Sequence, residues 1–404
     1  MNSLDKFRPG RFFCELNDNS YDRKRHLMYN PDIMNWFDPI NSPTLVLDKK
    51  RCLENIQHMV EKTRISRVHF RPHFKTHQSA VIGGWFRPPG VDAITVSSVA
   101  MAKYFADHGW KDITIAFPVN LREIQNINHL AKKIHLELLV ESPESIRFLA
   151  EKLEAPVGLW LKADVGAHRT GIPVNDHDKF LALAKETNHP RPLILQGVLT
   201  HAGQTYHASS VEEVKQIYQD AIDQLISLND DLHKAGFTET KISWGDTPSC
   251  ALVNDLSRVD EVRPGNFVLF DYTQYQIGSC REEDIASAVA CPIVALHPER
   301  NEVVIHGGAI HLSKERLEQD DTCSYGAVAL PTTIGWSEHI PGACVKSLSQ
   351  EHGIVSIPQE YLAQIRIGDL LIILPVHSCL AVDQFKQYRS LDGEIIPTLR
   401  METT

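Results

Sequence analysis

Several common features are missing from this chain of 404 residues. It contains no run of about 18 uncharged apolar residues, the length that a membrane-spanning helix needs. The first twenty residues lack the apolar core of a secretory signal. The eight cysteines are scattered and include no Cys-x-x-Cys pair, so most are expected to be buried thiols in a reducing compartment. We therefore expect a cytoplasmic protein without a disulfide framework.

An excess of basic residues is also missing. The chain has 41 Lys and Arg against 51 Asp and Glu, and its net charge is −10. This balance argues against nucleic acid or an anionic membrane as the main partner. The hydrophobic fraction of 43% and the charged fraction of 23% are typical of a globular protein. The chain shows no internal repeat or low-complexity segment, and its length favours two domains.

Residues 43–284 alternate between strand-like and helix-like patterns. The expected strands are Val68–Lys75, Ala93–Ser97, Ile113–Phe117, Leu136–Glu141, Val157–Asp164, Leu195–His201, Ile242–Gly245 and Val268–Asp271. The expected helices include Lys49–Thr63, Ser98–His108, Leu121–Ala131, Ser142–Lys152 and Val211–Ala235. Eight strands with intervening helices predict a parallel (β/α)8 barrel, with a doubly wound sheet as the alternative.

After about Ile285 the pattern changes to short apolar runs separated by turn residues. Such runs are Ala288–Leu296, Glu302–His306 and Leu370–Leu374. They predict a second, mostly β domain over residues 285–404. Residues 1–42 form a polar N-terminal segment, which we expect to pack on the β domain through Trp36 and Phe37.

Basic side chains alternate along the first expected barrel strand. His69, Arg71, His73 and Lys75 share one face of a strand. A row of cations in a barrel lumen is costly unless an anionic ligand, such as a phosphorylated cofactor, meets it. Lys75 stands at the carboxyl end of the strand, where barrel active sites form, and burial beside cations would suit it for Schiff-base chemistry. The alternative is an edge strand with a solvated polar face.

A candidate phosphate site follows the seventh expected strand, in the segment Ser243–Ser249. Gly245 would let the backbone approach a phosphate closely, and Thr247 offers a hydroxyl donor. Asp246 fits such a site only if its backbone amide, not its carboxylate, makes the contact. The alternative is an ordinary turn.

Two further segments place polar residues at strand ends. Arg169 in Asp164–Gly171 could bind a phenolate or a carboxylate. His201 and Tyr206 could line the same pocket after the sixth strand. For each segment alone, a loop with satisfied polar groups is the alternative.

His377 and Cys379 are two positions apart, so on a strand both would face the same way. An imidazole with a thiolate suits zinc, and two protein ligands fit a catalytic site completed by water and substrate. The alternative is a buried histidine and a buried cysteine without a metal. His306 and His311 are less specific, and we expect them at most in the pocket wall.

Together these segments resemble the D-serine dehydratase and D-threonine aldolase family, pyridoxal-phosphate enzymes with an alanine-racemase-like fold. The resemblance runs from about Pro43 to the C-terminal tail. The segments that carry it are Arg71-Pro72-His73-Phe74-Lys75-Thr76-His77, Asp164-Val165-Gly166 with Arg169 and Gly171, His201-x-Gly203-x-x-Tyr206, Gly245-x-Thr247-Pro248, Arg263-Pro264-Gly265 before Phe270-Asp271, and His377-x-Cys379. The last looks like the zinc pair of the eukaryotic-type D-serine dehydratases.

The resemblance implies that Lys75 carries pyridoxal 5'-phosphate as a Schiff base and also acts as the catalytic base. The residues expected to hold the cofactor are Lys75, His73, Arg169, His201, Tyr206, Gly245, Asp246 and Thr247. The metal expected on His377 and Cys379 is zinc, with manganese as the alternative. A homodimer completing the site is also implied.

Three departures from the family pattern touch the pocket. Asp246 stands where small hydroxyl residues are common. The segment Thr95–Ala102 lacks an acidic residue that relatives often have. His306-Gly307-Gly308-Ala309 replaces an Asp-Ala-Gly type segment. Substrate identity is therefore less well specified than cofactor identity.

The expected reaction is loss of water from a D-3-hydroxy amino acid, which gives a 2-oxo acid and ammonia. Cleavage to glycine and an aldehyde, as in an aldolase, is the main alternative. A racemase would need a second acid or base, for which Tyr272 and Tyr275 are the candidates. A non-catalytic cofactor-binding protein is the alternative from another class, and the His377/Cys379 domain argues against it.

Overall fold

The computed structural model describes residues 35–188, 193–319 and 322–399. These residues form a barrel of parallel strands and a second, mostly antiparallel sheet. No helix in these ranges is long and apolar enough to cross a membrane.

The first part of the chain alternates strands with helices. In chain order the elements are β1 (Thr44–Leu47), α1 (Lys49–Ser66), β2 (His69–Phe70), α2 (Ala80–Gly84), β3 (Ala93–Val96), α3 (Val99–Asp107), β4 (Asp112–Pro118), α4 (Ile124–Ala131), β5 (His135–Val140), α5 (Pro143–Lys152), β6 (Val157–Asp164), β7 (Ile172–Pro173), α6 (His177–Glu186), β8 (Leu193–Thr200), α7 (Val211–Lys234), β9 (Lys241–Trp244), α8 (Thr247–Leu252), β10 (Glu261–Val262) and α9 (Tyr272–Ile277). The expected helices lie within a few residues of α1, α3, α4, α5 and α7.

Eight of these strands close into a barrel. The hydrogen-bonded order is β2-β10-β9-β8-β6-β5-β4-β3, with the short β7 attached to β6. The circle closes between the end of β2 and β3, where Thr95 receives a hydrogen bond from the Phe74 amide and donates one to the Pro72 carbonyl, both at 2.9 Å. The predicted (β/α)8 barrel is confirmed, and the doubly wound alternative is excluded.

Helix boundaries follow local capping chemistry. The Asp48 side chain accepts from the Arg51 amide at the start of α1, and Arg67 ends that helix in the left-handed conformation with φ 55°. Ser210 caps α7 in the same way by accepting from the Glu213 amide. Ser142 caps α5, and Pro143 occupies the first turn of that helix, where no amide donor is needed.

The eighth barrel strand was wrongly placed by the sequence analysis. It is the two-residue β10, not Val268–Asp271. Val268, Leu269 and Phe270 are buried, but Val268 ends a 3-10 turn over Asn266–Val268, the next two residues follow that turn, and Asp271 caps α9. A short apolar run does not distinguish a buried strand from a buried helical turn, which explains the error.

The second domain is a nine-stranded sheet with short flanking helices. Its elements are β11 (Ser287–His297), β12 (Glu302–His306), α10 (Ala309–Leu312), β13 (Leu317–Gln319), β14 (Thr322–Ser324), β15 (Gly326–Ala329), β16 (Pro331–Thr332), β17 (Gly335–Trp336), β18 (Cys344–Leu348), β19 (His352–Ser356), α11 (Gln359–Leu362), β20 (Leu370–Pro375), α12 (Ser378–Gln384), β21 (Gln387–Ser390) and β22 (Ile395–Pro397). The strand order is β12-β19-β18-β15-β20-β11-β1-β21-β22, which confirms the mostly β character expected of this part.

The N-terminal end of the described chain belongs to this sheet. β1 pairs antiparallel with β11 and parallel with β21, so a domain boundary at residue 43 assigns this strand to the wrong unit. Trp36 is buried and donates its indole N–H to the Thr332 carbonyl at 2.8 Å. This contact places Trp36 on the β domain. Residues 1–34 of the expected N-terminal segment lie outside the described residues. We propose that the barrel domain begins with α1.

The first barrel strand is held by a buried ionic network rather than by a long ladder of backbone hydrogen bonds. The Arg71 Nε donates to Glu261 at 2.6 Å, and its guanidinium also contacts Asp112 and lies 3.7 Å from Glu137. Arg71 and both glutamates are almost fully buried. The alternating cations were expected to meet a bound ligand, and for Arg71 that expectation is wrong because carboxylates of the chain neutralise it.

The network changes the acidity of Glu261. Burial alone would raise the pKa of this carboxyl, but Arg71, with hydrogen bonds from His69 and Ser243, outweighs burial and lowers the pKa to about 2. A carboxyl with a lowered pKa in the folded state adds stability above its ordinary pKa, and this contribution is lost as the pH falls towards the lowered value.

Replacing Arg71 with methionine should destabilise the barrel strongly. The change leaves Glu261 and Glu137 buried without their cation, and such unpaired charges cost about 3–5 kcal/mol. Urea unfolding at pH 7 should show this loss in the free energy of unfolding. The difference from the wild type should shrink as the pH falls below the ordinary glutamate pKa of 4.5, because protonation removes the unpaired charge.

Arg64→Met is the matched control, because Arg64 makes an exposed ion pair with Glu61 at 2.8 Å. Its loss should change the free energy of unfolding by less than about 1 kcal/mol. Equal effects of the two substitutions would contradict a structural role for the buried network.

Candidate active site

A cavity of about 250 Å³ opens at the carboxyl ends of the barrel strands and is covered partly by the β domain. The lining residues come from both domains. They are His73, Lys75, Thr76, Arg169, His201, Gly203, Tyr206, His207, Asp246, Arg263, Gly265, Asn266, Asp271, Thr273, Glu315, Arg316, Leu317, Val376, His377 and Cys379. Most of the residues selected from the sequence meet here, although they are spread over three hundred positions.

Lys75 lies in the turn that follows β2, and it lines the cavity. Its neighbour Phe74 is fully buried, and the Phe74 ring lies 5.0 Å from the rings of Phe86 and Phe105. Phe74 therefore anchors the turn that carries Lys75. The expected strand ended at Lys75, whereas β2 itself ends at Phe70 and only His73 continues the pairing.

The cavity favours neutral bases. Burial lowers the pKa of Lys75, and Arg169 and Arg263 add to this effect, although the Cys379 thiolate opposes it. Burial, followed by the positive charges of Lys75 and Arg263, holds the pKa of His73 and of His201 well below the ordinary histidine value. An amine with a lowered pKa is a better nucleophile and base at neutral pH.

The segment after β9 carries buried polar groups without ordinary partners. The hydroxyls of Thr247 and Ser249 and one carboxylate oxygen of Asp246 are buried and make no hydrogen bond of normal geometry within the described residues. The other oxygen of Asp246 caps α8 by accepting from the Ser249 amide at 2.7 Å. Burial raises the pKa of Asp246 to about 6. The Thr247 amide donates to the Tyr206 hydroxyl at 3.3 Å.

Two residues of the expected cofactor set do not line the cavity. Thr247 is buried next to Asp246, which does line the cavity, and Gly245 is packed against Arg263. A Cβ atom at Gly245 would lie 3.0 Å from the Arg263 guanidinium, so the glycine makes room for that side chain. In this structure the space beside the Gly245 Cα is filled by Arg263, and a phosphate contact of the Gly245 backbone stays a prediction.

Arg169 is carried by a loop that Asp164 organises. One Asp164 oxygen accepts from the amides of Gly166 and His168 at 3.0 and 3.1 Å, and the other contacts the His168 ring. Gly166 and Gly171 have positive φ values of 114° and 108°, which side-chain-bearing residues rarely adopt. The loop thus turns back over the end of β6 and brings Arg169 to the cavity.

His377 and Cys379 enter the cavity from the β domain, at the start of α12. The Asp271 carboxylate, on the barrel side, accepts from the Ser378 amide at 3.0 Å and so fixes the residue between them. The Thr76 hydroxyl lies 3.2 Å from the Cys379 sulfur. Since Thr76 follows Lys75 directly, the histidine–cysteine pair is held beside the lysine.

The pair is strongly polarised. Burial opposes ionisation of the Cys379 thiol, but His377 and Lys75 outweigh it and lower the thiol pKa. Burial likewise disfavours charged His377, yet Cys379 and Glu315 raise its pKa to about 11. A thiolate beside an imidazole whose other nitrogen contacts a carboxylate is a donor set suited to a divalent transition metal.

Glu315 is a site residue that the sequence analysis missed. Its carboxylate lies 2.8 Å from the His377 Nδ1, where it can accept the ring N–H and leave Nε2 free. It follows β12 and α10 in an irregular segment, so no strand or helix period identified it. Arg263 and Asp271 also line the cavity, and only their place in a family motif indicated them; Asn266 lines it as well and was missed.

Four other sequence candidates lie elsewhere. Tyr272 and Tyr275 do not line the cavity but pack against the His339 ring at 5.5 and 5.9 Å. His306 and His311, expected in the pocket wall, lie in a separate cluster with Glu351. Neither tyrosine is placed to exchange a proton within the cavity of this chain.

Comparison with known proteins agrees with the two-domain division. Residues 47–273, more than half of the chain, match the family described as alanine racemase, N-terminal domain. Residues 286–391 match a putative serine dehydratase domain.

Curated relatives cover nearly the whole chain. D-threo-3-hydroxyaspartate dehydratase from Delftia sp. is 29% identical over 88% of this chain and 96% of its own length. D-serine dehydratase from Dictyostelium discoideum is 26% identical over 92% and 98%. D-threonine aldolase from an Arthrobacter species is 23% identical over 84% and 86%.

The solved Delftia enzyme superposes with a TM-score of 0.82 at 27% identity, over 90% of this chain and 99% of that structure. Its structures include a histidine-to-alanine mutant and, two positions later, a cysteine-to-alanine mutant in a metal-free form. With the barrel match covering more than half of the sequence, this chain belongs to the alanine racemase N-terminal domain family, and its barrel is followed by a putative serine dehydratase domain.

Proposed function

We propose that this protein is a lyase that uses pyridoxal phosphate and a divalent metal to remove water from a D-3-hydroxy amino acid. The products are a 2-oxo acid and ammonia. The observation that carries the proposal is the meeting of Lys75 with His377 and Cys379 in one cavity, linked through Thr76. The Delftia and Dictyostelium relatives are dehydratases of D-3-hydroxy amino acids, which supports the same class of substrate.

The residues present fit pyridoxal phosphate. The unpartnered hydroxyls of Thr247 and Ser249 can donate to a phosphate, although a Thr247 contact requires the group to reach past Asp246. Arg169 can meet the phenolate oxygen of the ring, and Lys75 can hold the aldehyde carbon covalently. His73, His201 and Tyr206 supply the walls of the cavity. Lys75 and Arg169 have no carboxylate within ion-pair distance among the described residues, so an anionic ligand would complete the charge balance.

The residues also fit a metal ion, which we propose is zinc with manganese as the alternative. The Cys379 thiolate and the His377 imidazole are good zinc ligands, and Glu315 can fix the histidine by accepting its Nδ1 proton. Two protein ligands leave positions for water and for a substrate oxygen, as catalytic zinc sites do.

Within this arrangement Lys75 would move the proton of the α-carbon. The bound cofactor supplies an electron sink that makes this proton acidic. Burial and the nearby arginines favour the neutral amine of Lys75, which is the form that accepts a proton. Neutral His73 and His201 surround the amine without adding charge to the cavity.

Departure of the β-hydroxyl is the second requirement, since hydroxide is a poor leaving group at neutral pH. The metal supplies Lewis acidity for this step. Cys379 and His377 lie on the side of the cavity that the β domain covers. Cys379 contacts Thr76, the residue that follows Lys75. The α-proton acceptor and the leaving-group site are therefore adjacent, as a β-elimination requires.

Aldol cleavage to glycine and an aldehyde is the second candidate, because it can use the same cofactor and metal. The Arthrobacter relative is an aldolase, but the two dehydratases cover more of their own length and are more similar. The racemase alternative is less well supported, because neither Tyr272 nor Tyr275 lines the cavity of the same chain and the two relatives named first are dehydratases. We also propose a cytoplasmic homodimer.

Lys75→Ala should abolish covalent cofactor binding. Purified wild-type protein should be yellow, and borohydride should fix the cofactor to a peptide that contains Lys75. Lys162→Met is the matched control, since Lys162 is a second buried lysine nearby, with a pKa that burial lowers to about 7. The control should keep its reducible absorbance. Retention of that absorbance in Lys75→Ala would contradict the assignment.

Cys379→Ala should remove the catalytic metal while leaving the cofactor absorbance in place, because cofactor binding does not require the metal. Elimination activity should fall at least about a hundredfold, the lower end expected when a Lewis acid worth several kcal/mol is lost. Metal analysis beside the visible spectrum provides both readouts. Cys344→Ala, at a half-buried β-domain cysteine outside the cavity, should retain metal and activity. Full turnover by a Cys379→Ala protein that has lost its active-site metal would rule the role out.

Product analysis separates the two reactions. The substrates to test are D-serine and both diastereomers of longer D-3-hydroxy amino acids. From each of them, elimination should give ammonia and a 2-oxo acid in equal amounts. In deuterated water the product should carry deuterium at the former β-carbon, because the solvent protonates the enamine there. Glycine and an aldehyde in equal amounts would instead assign the protein as an aldolase, without affecting the roles of Lys75 and the metal pair.

A further inference from the structure

A second cluster of metal-ligating side chains lies in the β domain, away from the active-site cavity. His306 ends β12, His311 belongs to α10, and Glu351 lies in the turn between β18 and β19. One ligand atom from each lies within 4.8 Å of the other two. None of the three lines the cavity, so the cluster is separate from His377 and Cys379.

The two loops that carry the cluster are fixed against each other by their backbones. The Gly307 amide donates to the Glu351 carbonyl at 2.9 Å, and the Ala309 amide donates to the Ser349 carbonyl at 2.8 Å. A Cβ atom at Gly308 would lie 2.2 Å from the Gln350 carbonyl oxygen, so only glycine permits this approach. Gly307 and Gly308 therefore allow the loop between His306 and His311 to pack closely against the loop of Glu351.

The ligand atoms of the cluster are accessible to a cation. The Glu351 carboxylate lies 3.7 Å from the His306 Nε2, and the side chains of His306 and Glu351 are 40% and 45% exposed. The Gly308 amide donates to the His311 Nδ1 at 3.2 Å, which is long for a hydrogen bond. This bond would be lost if a metal bound either ring nitrogen, because Nδ1 would then hold the metal or the ring proton and could no longer accept.

The other group of three potential ligands in the described chain has a different character. Asp112, His135 and Glu137 also lie within 4.8 Å of one another, but the Arg71 guanidinium contacts both carboxylates. That arginine already supplies the positive charge, so a metal ion would be repelled. The His306 cluster has no Lys or Arg in ion-pair contact with Glu351 among the described residues.

We propose that His306, His311 and Glu351 bind a second divalent transition-metal ion, of which zinc is the best match. Two imidazoles and one carboxylate are common zinc ligands, and water can fill the fourth position. Tetrahedral zinc brings its ligand atoms to about 3.3 Å from one another, so small side-chain rotations suffice. The proposal is independent of the function proposed above, because it rests on a different set of ligands.

The position of the cluster indicates what this ion would do. α10 packs against α12, and the His311 ring lies 6.0 Å from the Phe385 ring just beyond α12. α12 begins next to His377 and contains Cys379, while the chain after α10 leads to Glu315. An ion on His311 would therefore anchor the helix that precedes Glu315, and we assign it a structural role.

Metal content is the direct test. Protein equilibrated with zinc and then freed of loose metal should hold two ions per chain, and His311→Ala should hold one. Cys379→Ala should also hold one, and the double variant none. His352→Ala is the matched control, because His352 pairs with His306 across β12 and β19 yet lies outside the cluster, and it should keep both ions.

The outcomes separate the two metal sites. If His311→Ala holds as much zinc as the wild type, the second site is overturned. If His311→Ala loses one ion and Cys379→Ala loses none, the second site stands and the metal role proposed for Cys379 fails. Glu351→Gln provides a second variant if His311→Ala does not fold, and it should also lose one ion.

Cobalt gives an independent readout in the Cys379→Ala background. Bound cobalt should then show absorbance of nitrogen and oxygen ligation without thiolate charge-transfer bands, and His306→Gln in that background should abolish it. Zinc should also raise the melting temperature of the Cys379→Ala protein, and this shift should disappear with His306→Gln. An absence of cobalt absorbance in the Cys379→Ala protein would overturn the site.

Discussion

The buried ion pair between Arg71 and Glu261 connects the first and last strands of the barrel, and the active site depends on that closure. Each of these strands contributes only two residues to regular pairing, so few backbone hydrogen bonds join them. The Arg71 Nε donates to Glu261 at 2.6 Å from the adjacent strand, and Ser243 extends the link to the seventh strand. Beyond Arg71 the chain leaves the strand and enters the turn that carries the buried Phe74 and the cavity-lining Lys75. The same short segment therefore closes the barrel and presents the lysine.

The β domain completes the site because the chain crosses between the two units more than once. β1 belongs to the C-terminal sheet, although it precedes the whole barrel, and the Tyr388 hydroxyl donates to the His77 carbonyl at 2.9 Å. Asp271 fixes the start of α12 from the barrel side. These contacts hold Cys379 next to Thr76. The two domains share one chemical centre, and their buried apolar residues form one continuous cluster.

Local patterns in the sequence were sufficient for the barrel and for the main site residues, since helix periods, caps and strand-end motifs all act over short distances. Val268–Asp271 was misplaced because a buried apolar turn has the same composition as a buried strand. β1 was assigned to the barrel because its sheet partners lie about 250 and 340 positions away. Glu315 carries no local signal, and its role arises only where its segment meets His377. The role of Gly245 likewise depends on Arg263, which a local motif does not reveal.

The basic side chains discussed above fall into two groups. Some are paired with carboxylates of the chain, and others face the cavity without such a partner. Arg71 is surrounded by Glu261, Glu137 and Asp112, so its counter-charges are built into the chain and it serves the fold. Lys75 and Arg169 face the cavity without a carboxylate in ion-pair contact among the described residues. An anionic ligand in the cavity would supply the counter-charge that the chain itself does not provide there. The alternating basic residues of one strand thus divide at Pro72: those before it stabilise the barrel, and those after it face the cavity where the chemistry is proposed to occur.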